Sequence, residues 1–120
     1  MKTFKKVFED YGADYETTMS RFAGNEKFYL RVLGMLPNDK STENLGRTIK
    51  NGDMAGAFEA AHTLKGVAGN LGLTPLFEAV CAIVEPLRKK TARDDYMQLY
   101  TVIQGEYERA GAFLESLKDV

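Results

Sequence analysis

The stretch that decides the fold is DMAGAFEAAHTLKGVAGNL, residues 53–71. Read as a helix, at about 100° per residue, this stretch separates into two faces. One face is an unbroken apolar stripe made of Ala57, Ala60, Ala61, Leu64, Val67, Ala68 and Leu71. Such a stripe is typical of a helix that packs one side against a protein core. The sequence therefore predicts an amphipathic helix from Asp53 to Leu71.

The opposite face of this helix carries the only histidine of the chain, His62, together with Lys65, Gly66 and Gly69. These residues follow the i, i+3, i+4, i+7 spacing and therefore stack on one side. Each glycine inside a helix costs roughly 1 kcal/mol relative to alanine, so helix stability alone does not explain two of them. Because glycine lets another backbone or side chain approach closely, the pattern predicts an exposed histidine that a large partner must reach.

Helix-ending and helix-starting residues recur along the chain, and they predict six helices. The expected bounds are Thr3–Asp10, Asp14–Leu36 with a break or kink near Gly24, Asp39–Asn51, Asp53–Leu71, Pro75–Lys90 with a bend or end at Pro86, and Asp94–Lys118. Glycine favours the end of one helix and aspartate caps the next, as at Gly52 and Asp53. No segment shows convincing strand periodicity. We therefore expect an all-α fold, an antiparallel four-helix bundle with an additional short N-terminal helix, in one domain over residues 1–120.

Composition limits the classes of function that fit this chain. The formal net charge is −1 with both signs interspersed, and nothing in the sequence resembles a basic stripe for nucleic acid or a polybasic membrane anchor. The apolar runs are far shorter than the roughly 18 residues of a spanning helix, and the N-terminus lacks the apolar stretch of a signal peptide. A single cysteine, Cys81, excludes an intramolecular disulfide and fits a reducing compartment. We expect a cytoplasmic protein without nucleic-acid or membrane partners, and a monomer because no exposed apolar stripe is evident.

Most of the familiar catalytic motifs are absent from the sequence. One histidine and one cysteine cannot assemble a His/Cys zinc site, and there is neither a Walker-type phosphate loop nor a dinucleotide fingerprint. Composition alone leaves room for a dyad or triad built on His62. A convex helical face, however, offers no obvious substrate cleft. We expect no metal, no cofactor and no ATP site or independent turnover.

The segment AHTLKGVAGNLG, residues 61–72, resembles the signature of histidine-containing phosphotransfer (HPt) domains, the shuttles of multistep phosphorelays. The resemblance extends to residues 52–58 and 14–36 and covers nearly the whole chain. It implies receiver domains of response regulators as partners, with a hybrid sensor histidine kinase as a further candidate. It also implies phosphoryl transfer, from one receiver's aspartyl phosphate to His62 Nε2 and on to another receiver's aspartate. The metal ion and the aspartates of these reactions would belong to the partners.

The resemblance also implies roles for the residues around His62. A neutral imidazole is a competent nucleophile near pH 7, and Lys65 would offset the charge of the phosphate as a point cation. Gly66 would lie close to the phosphate and, with Gly69, leave room for the receiver's loops. Candidate docking residues on or beside this face are Phe58, Gly69 and Asn70. Phe58 could equally be a core residue, and the two glycines could instead permit close helix packing.

The sequence departs from the HPt pattern on the helix after His62. Many members of the family place a glutamine or glutamate there, where it can hydrogen-bond the histidine or its phosphate. The corresponding turn here holds Cys81 and Val84, so His62 Nδ1 must find water, backbone, Glu85 or Arg88. What orients the histidine is thus left open.

Two alternatives to a carrier remain open from the sequence. The same face could dock a receiver-like protein without His62 ever carrying phosphate, as in an adaptor. The chain could also be a purely structural bundle, in which glutamate at Lys65 or Gly69 would change neither binding nor signalling. Elsewhere, Phe22 and Phe28 are expected in the core, and Cys81 is expected as a small buried hydrophobe. Whether the chain is free-standing or a module of a larger protein is also open.

Overall fold

The computed structural model describes residues 2–120, and every regular element in this range is helical. The elements are α1 (Phe4–Tyr11), α2 (Tyr15–Ser20), α3 (Glu26–Leu33), a short 3₁₀ helix (Leu36–Asn38), α4 (Ser41–Lys50), α5 (Met54–Asn70), α6 (Thr74–Arg88) and α7 (Tyr96–Lys118). Met1, the first residue of the predicted domain, lies outside the described residues. The predicted all-α fold class is confirmed, and the helix predicted at Asp53–Leu71 is α5.

Four helices form the bundle. Helices α4, α5, α6 and α7 each pack against the next one in the chain, and α7 packs back against α4 to close the ring. Short connections between consecutive helices make these neighbours antiparallel. Helix α1 packs on α7 outside the ring. Fully buried side chains line the interior, including Leu45, Leu64, Leu76, Ile83, Ile103 and Leu114. The four-helix ring with an additional short helix at the N-terminus is the architecture predicted from the sequence.

Local sequence determines where α5 and α6 begin. Asp53 accepts a hydrogen bond from the backbone N–H of Gly56 through Oδ1 at 2.9 Å, and Gly52 before it has φ +71. Pro75 occupies the first turn of α6, where its missing N–H removes no helical hydrogen bond. Helix α6 continues through Pro86 and ends at Arg88. Proline removes the bond to the carbonyl four residues earlier, here that of the exposed Ala82, which water can solvate.

The helix expected at Asp14–Leu36, with a break or kink near Gly24, is broken there and not kinked. The chain forms two short helices, α2 and α3, separated by residues 21–25. Ala23 and Gly24 have φ +55 and +70, and Asn25 caps α3 by accepting a hydrogen bond from the Phe28 backbone N–H at 2.9 Å. Two consecutive left-handed residues end a helix, so the segment is a turn rather than a kink.

The placement of Phe28 in the core is also wrong, because its side chain is 43% exposed. The turn after α2 rotates α3 so that Tyr29 and Leu33 face the core, which leaves Phe28 at the surface against the half-buried Phe22, with ring centroids 5.5 Å apart. Phe22 itself packs on the core through a T-shaped contact with Tyr29. Only one of the two phenylalanines therefore contributes to the core as predicted.

Helices α2 and α3 hold the C-terminal end of α5 in place. The Tyr29 hydroxyl, which is buried, donates to the Leu71 carbonyl at 2.7 Å, and burial raises the pKa of Tyr29 well above its usual range. Arg21 Nη1 donates to the Gly69 carbonyl at 2.8 Å. Both bonds reach carbonyls at the C-terminal end of α5, where the regular helical hydrogen bonds stop, and the Gly69 carbonyl also accepts from the Gly72 backbone N–H at 3.2 Å. The end of α5 nearest Gly69 is therefore fixed against the rest of the chain.

Candidate functional site

His62 lies in the middle of α5 on the face that points away from the bundle, and its side chain is exposed. Five residues of the opposite face, Ala57, Ala60, Ala61, Leu64 and Ala68, are buried. Leu71, the next residue of the predicted stripe, is buried as well, whereas Val67 is half-buried at the edge. The helix therefore presents its only histidine to solvent, as its sequence periodicity predicts.

The His62 imidazole stacks on the ring of Phe58, one helical turn earlier. The ring centroids are 5.6 Å apart and the ring planes are inclined by 25°. Phe58 is half-buried, and the guanidinium carbon of Arg88 lies 4.8 Å from its ring centroid. Arg88 in turn donates to Glu85 Oε1 through Nε at 2.9 Å. Helices α5 and α6 thus meet beside the histidine through an aromatic ring and a cation.

Lys65 lies one turn beyond His62, and its charged end leans towards α6. Its Nζ is 6.0 Å from the centroid of the Phe77 ring, and the residue is half-buried. Side chains three residues apart on a helix have Cβ atoms about 5–6 Å from each other. The flexible stem of the lysine allows its ammonium to move from Phe77 towards an anion at His62.

The two glycines of this face have different surroundings. A Cβ built on Gly66 would meet nothing within 4 Å, so the surface beside His62 is open there. A Cβ on Gly69 would lie 3.2 Å from Phe77 Cε1, which is closer than normal packing. The absence of a side chain at Gly69 therefore lets Phe77 of α6 approach, which is the close helix packing that the sequence left as an alternative.

The turn of α6 opposite His62 offers no hydrogen bond to the imidazole. Val84 is 1% exposed and points into the core, whereas Cys81 is half-buried rather than fully buried as expected. Cys81 lies at the edge of the buried face of α6, beside Val80 and Val84, which explains its partial exposure. Glu85 and Arg88, the two candidate partners of Nδ1, bond to each other. Among residues 2–120, no protein group hydrogen-bonds the ring of His62.

A groove near Asn70, which was not predicted from the sequence, extends the surface beyond the C-terminal end of α5. Its volume is about 260 Å³, and it is lined by Phe22, Val32, Met35, Leu36, Asp39, Val67, Asn70 and Leu71. Met35 is 65% exposed at its rim. The groove forms only because α3 and the 3₁₀ helix pack beside α5. Val67 at the margin of the apolar stripe was the one local signal of it.

Neither a metal site nor a membrane-spanning helix is found among the described residues. Among residues 2–120, no three histidine, cysteine, aspartate or glutamate side chains are grouped so that they could hold a metal ion. None of the helices described in that range combines the length and apolar character needed to cross a membrane.

The described residues form an all-helical bundle with an exposed histidine in the middle of one helix. In a comparison with protein families, the family model of the Hpt domain matches residues 38–113, more than half of the chain. The chain therefore belongs to the Hpt domain family. Searches of curated proteins and of solved structures gave no match. Hpt domains take part in histidine phosphotransfer in phosphorelays, where they interact with receiver domains and kinases.

Proposed function

We propose that this protein carries a phosphoryl group between the aspartates of receiver domains in a two-component phosphorelay, as phosphohistidine at His62. The observation that carries the proposal is the position of the only histidine. It is exposed at the middle of α5, beside the open surface at Gly66, in a chain of the Hpt family. A group that must react with another protein's active site needs such access.

The transfer reaction requires only an accessible imidazole nitrogen on this chain. The nitrogen lone pair attacks the phosphorus of the receiver's aspartyl phosphate, so that an N–P bond forms while the O–P bond breaks and its electron pair returns to the aspartate carboxylate. The reverse sequence on a second receiver regenerates the imidazole. Catalysis of such transfers is mainly positioning and charge stabilisation, and this chain supplies the position.

Lys65 and Gly66 are the residues that we assign to the phosphate. Lys65 lies on the same face as His62 and has a mobile ammonium that can offset phosphate charge. Gly66 leaves space next to the imidazole for the phosphoryl group and the receiver's loops. A side chain at position 66 would occupy that space, because it would project from the same exposed face.

We extend the proposed docking surface from His62 along α5 to the groove near Asn70. Asn70 is exposed and lines that groove, while Gly69 contributes by letting Phe77 approach α5 closely. The proposed partners are receiver domains, with a hybrid sensor histidine kinase as a candidate donor. We propose that the protein acts as a monomer in the cytoplasm, where Cys81 would stay reduced. That residues 1–120 form one domain stays a prediction.

The proposal is tested by mixing the purified protein with a panel of receiver domains that have been phosphorylated with a small phosphodonor. We expect at least one receiver to transfer its group, so that the intact mass of this protein rises by one phosphoryl group that acid removes. A receiver that binds the protein but never transfers its group, across the whole panel, would contradict the carrier function and favour an adaptor.

A further inference from the structure

We infer that Phe58 is a positioning residue for the His62 imidazole, and that Arg88, held by Glu85, keeps Phe58 in place. The inference deepens the proposed function, since orientation of the ring matters to a nucleophile. It also adds a role to Phe58, which the sequence assigned either to partner docking or to the core and which is partly buried against the core in the structure.

The first observation is the stack between the two rings. Phe58 and His62 are four residues apart on α5, so their side chains lie one above the other. Their centroids are 5.6 Å apart with an inclination of 25°, an arrangement close to parallel. Aromatic pairs with centroids between about 4.5 and 7 Å attract each other beyond the effect of buried area. One face of the imidazole is therefore in contact with its own helix.

The second observation is that the neighbouring helix fixes Phe58. Arg88 comes from α6 and places its guanidinium carbon 4.8 Å from the Phe58 centroid, within the range of a cation–π contact. Glu85, one turn earlier on α6, holds Arg88 by the 2.9 Å bond to Nε. An exposed ion pair of this kind adds little to the stability of the fold. We therefore assign the Glu85–Arg88 pair the role of orienting the Arg88 side chain over Phe58. The ring of Phe58 is thereby restrained by contacts on two helices.

The third observation is that the imidazole lacks the usual means of orientation. The rotation of a histidine ring about χ2 has broad minima, and hydrogen bonds to one ring nitrogen normally select an orientation. Within residues 2–120, no side chain or backbone group bonds the His62 ring, and Phe58 is the one aromatic side chain that stacks on it. The stack therefore takes the place of the glutamine or glutamate that many HPt domains carry on the following helix.

The test compares Phe58→Leu with Phe58→Tyr, because leucine keeps the apolar bulk and tyrosine keeps the ring. NMR reports the ring-proton shifts of His62, which the adjacent aromatic ring shields. Phosphoramidate reports reactivity without any receiver: its P–N bond breaks as the imidazole–phosphorus bond forms, and ammonia leaves. Phe28→Leu is the matched control, since Phe28 is half-exposed on α3 and does not contact His62.

We expect Phe58→Leu to move the His62 ring protons downfield and to slow phosphorylation by phosphoramidate about threefold, the scale of one aromatic contact. Phe58→Tyr and Phe28→Leu should leave both measurements near those of the parent protein. If the chemical shifts of the His62 ring protons are unchanged in Phe58→Leu, the proposed contact between Phe58 and His62 is wrong. Shifts that move while the rate stays constant would overturn the positioning role.

Arg88→Gln provides a second variant on the surface, which should fold even if Phe58→Leu does not. We expect its His62 ring protons to move in the same direction by a smaller amount, with phosphorylation slowed about twofold. No change in either measurement would overturn the part assigned to Arg88. Neither readout uses a receiver domain. A failure of receiver transfer would therefore count against the proposed function alone.

Discussion

His62→Gln is expected to abolish phosphoryl acceptance from every receiver. Glutamine is close to histidine in size and polarity but has no nucleophilic nitrogen, so no N–P bond can form. The side chain is exposed and forms no hydrogen bond with the rest of the described chain, so the helical content and the unfolding midpoint should stay close to those of the parent protein. Intact mass after incubation with phosphorylated receivers measures phosphoryl acceptance. Circular dichroism measures the helical content and the unfolding midpoint.

Binding of the His62→Gln variant separates a carrier from an adaptor. We expect the variant to retain receiver binding within a few-fold, measured by calorimetry, while signalling output in cells is lost. A variant that keeps both binding and output would contradict the carrier function and would show that the face works without phosphate. Phosphorylation of the variant at the parent level would place the accepting group at another residue.

Gly72→Ala is expected to lower the free energy of unfolding by about 3 kcal/mol. Gly72 is the middle residue of the α5–α6 connection and has φ +68, a conformation that costs an L-residue about 1–2 kcal/mol. A Cβ there would also collide with the side chain of Thr18, which is 2% exposed and cannot move aside easily. Crowding of that kind adds about 1–3 kcal/mol. Urea denaturation followed by circular dichroism measures the loss.

Gly52→Ala is the matched control, because Gly52 has φ +71 and a Cβ there would meet nothing within 4 Å. We expect Gly52→Ala to lower the free energy of unfolding by only about 1 kcal/mol, which is the cost of the backbone conformation. Adding Thr18→Ala to Gly72→Ala should cost less than the two single changes together, since it removes the colliding atoms. If Gly52→Ala and Gly72→Ala lower the free energy of unfolding by the same amount, the collision of the added Cβ at position 72 with Thr18 is unimportant.

Much of the fold could be predicted because its signals are local. Asp53 caps α5 and Gly52 adopts positive φ, and both properties follow from the residue types alone. The apolar stripe of α5 predicts its buried face because a helix has one period, and the face opposite that stripe contains His62. The exposure of the histidine was therefore predictable without any tertiary information.

The errors lie where packing between distant segments decides the outcome. The glycine at position 24 predicted a break or kink within Asp14–Leu36, but not that Ala23, a residue that rarely adopts positive φ, would take part in the turn. The exposure of Phe28 and the groove beside Asn70 both depend on that turn. Such features arise where residues of α3 come together with the C-terminal end of α5, which no local pattern records.

The surroundings of His62 likewise combine contacts that the sequence predicts with contacts that depend on packing between helices. Phe58 at i−4 was visible in the sequence, and its position beside the histidine follows from helix geometry. Its contact with Arg88 joins residues 30 positions apart and depends on how α5 and α6 pack. The contact of Gly69 with Phe77 likewise needs the second helix, and it turns a predicted open surface into a packed one. Single-helix reasoning therefore predicted the exposed position of His62 but not the contacts that α6 makes around it.

The most direct test of the carrier function follows a labelled phosphoryl group through a complete relay. One receiver is phosphorylated with labelled phosphate, freed of donor, and mixed with a second receiver and a substoichiometric amount of this protein. We expect label to leave the first receiver, appear transiently as an acid-labile group on this protein, and accumulate on the second receiver over several turnovers. Label that stays on the first receiver, although that receiver binds this protein, would contradict the function proposed here.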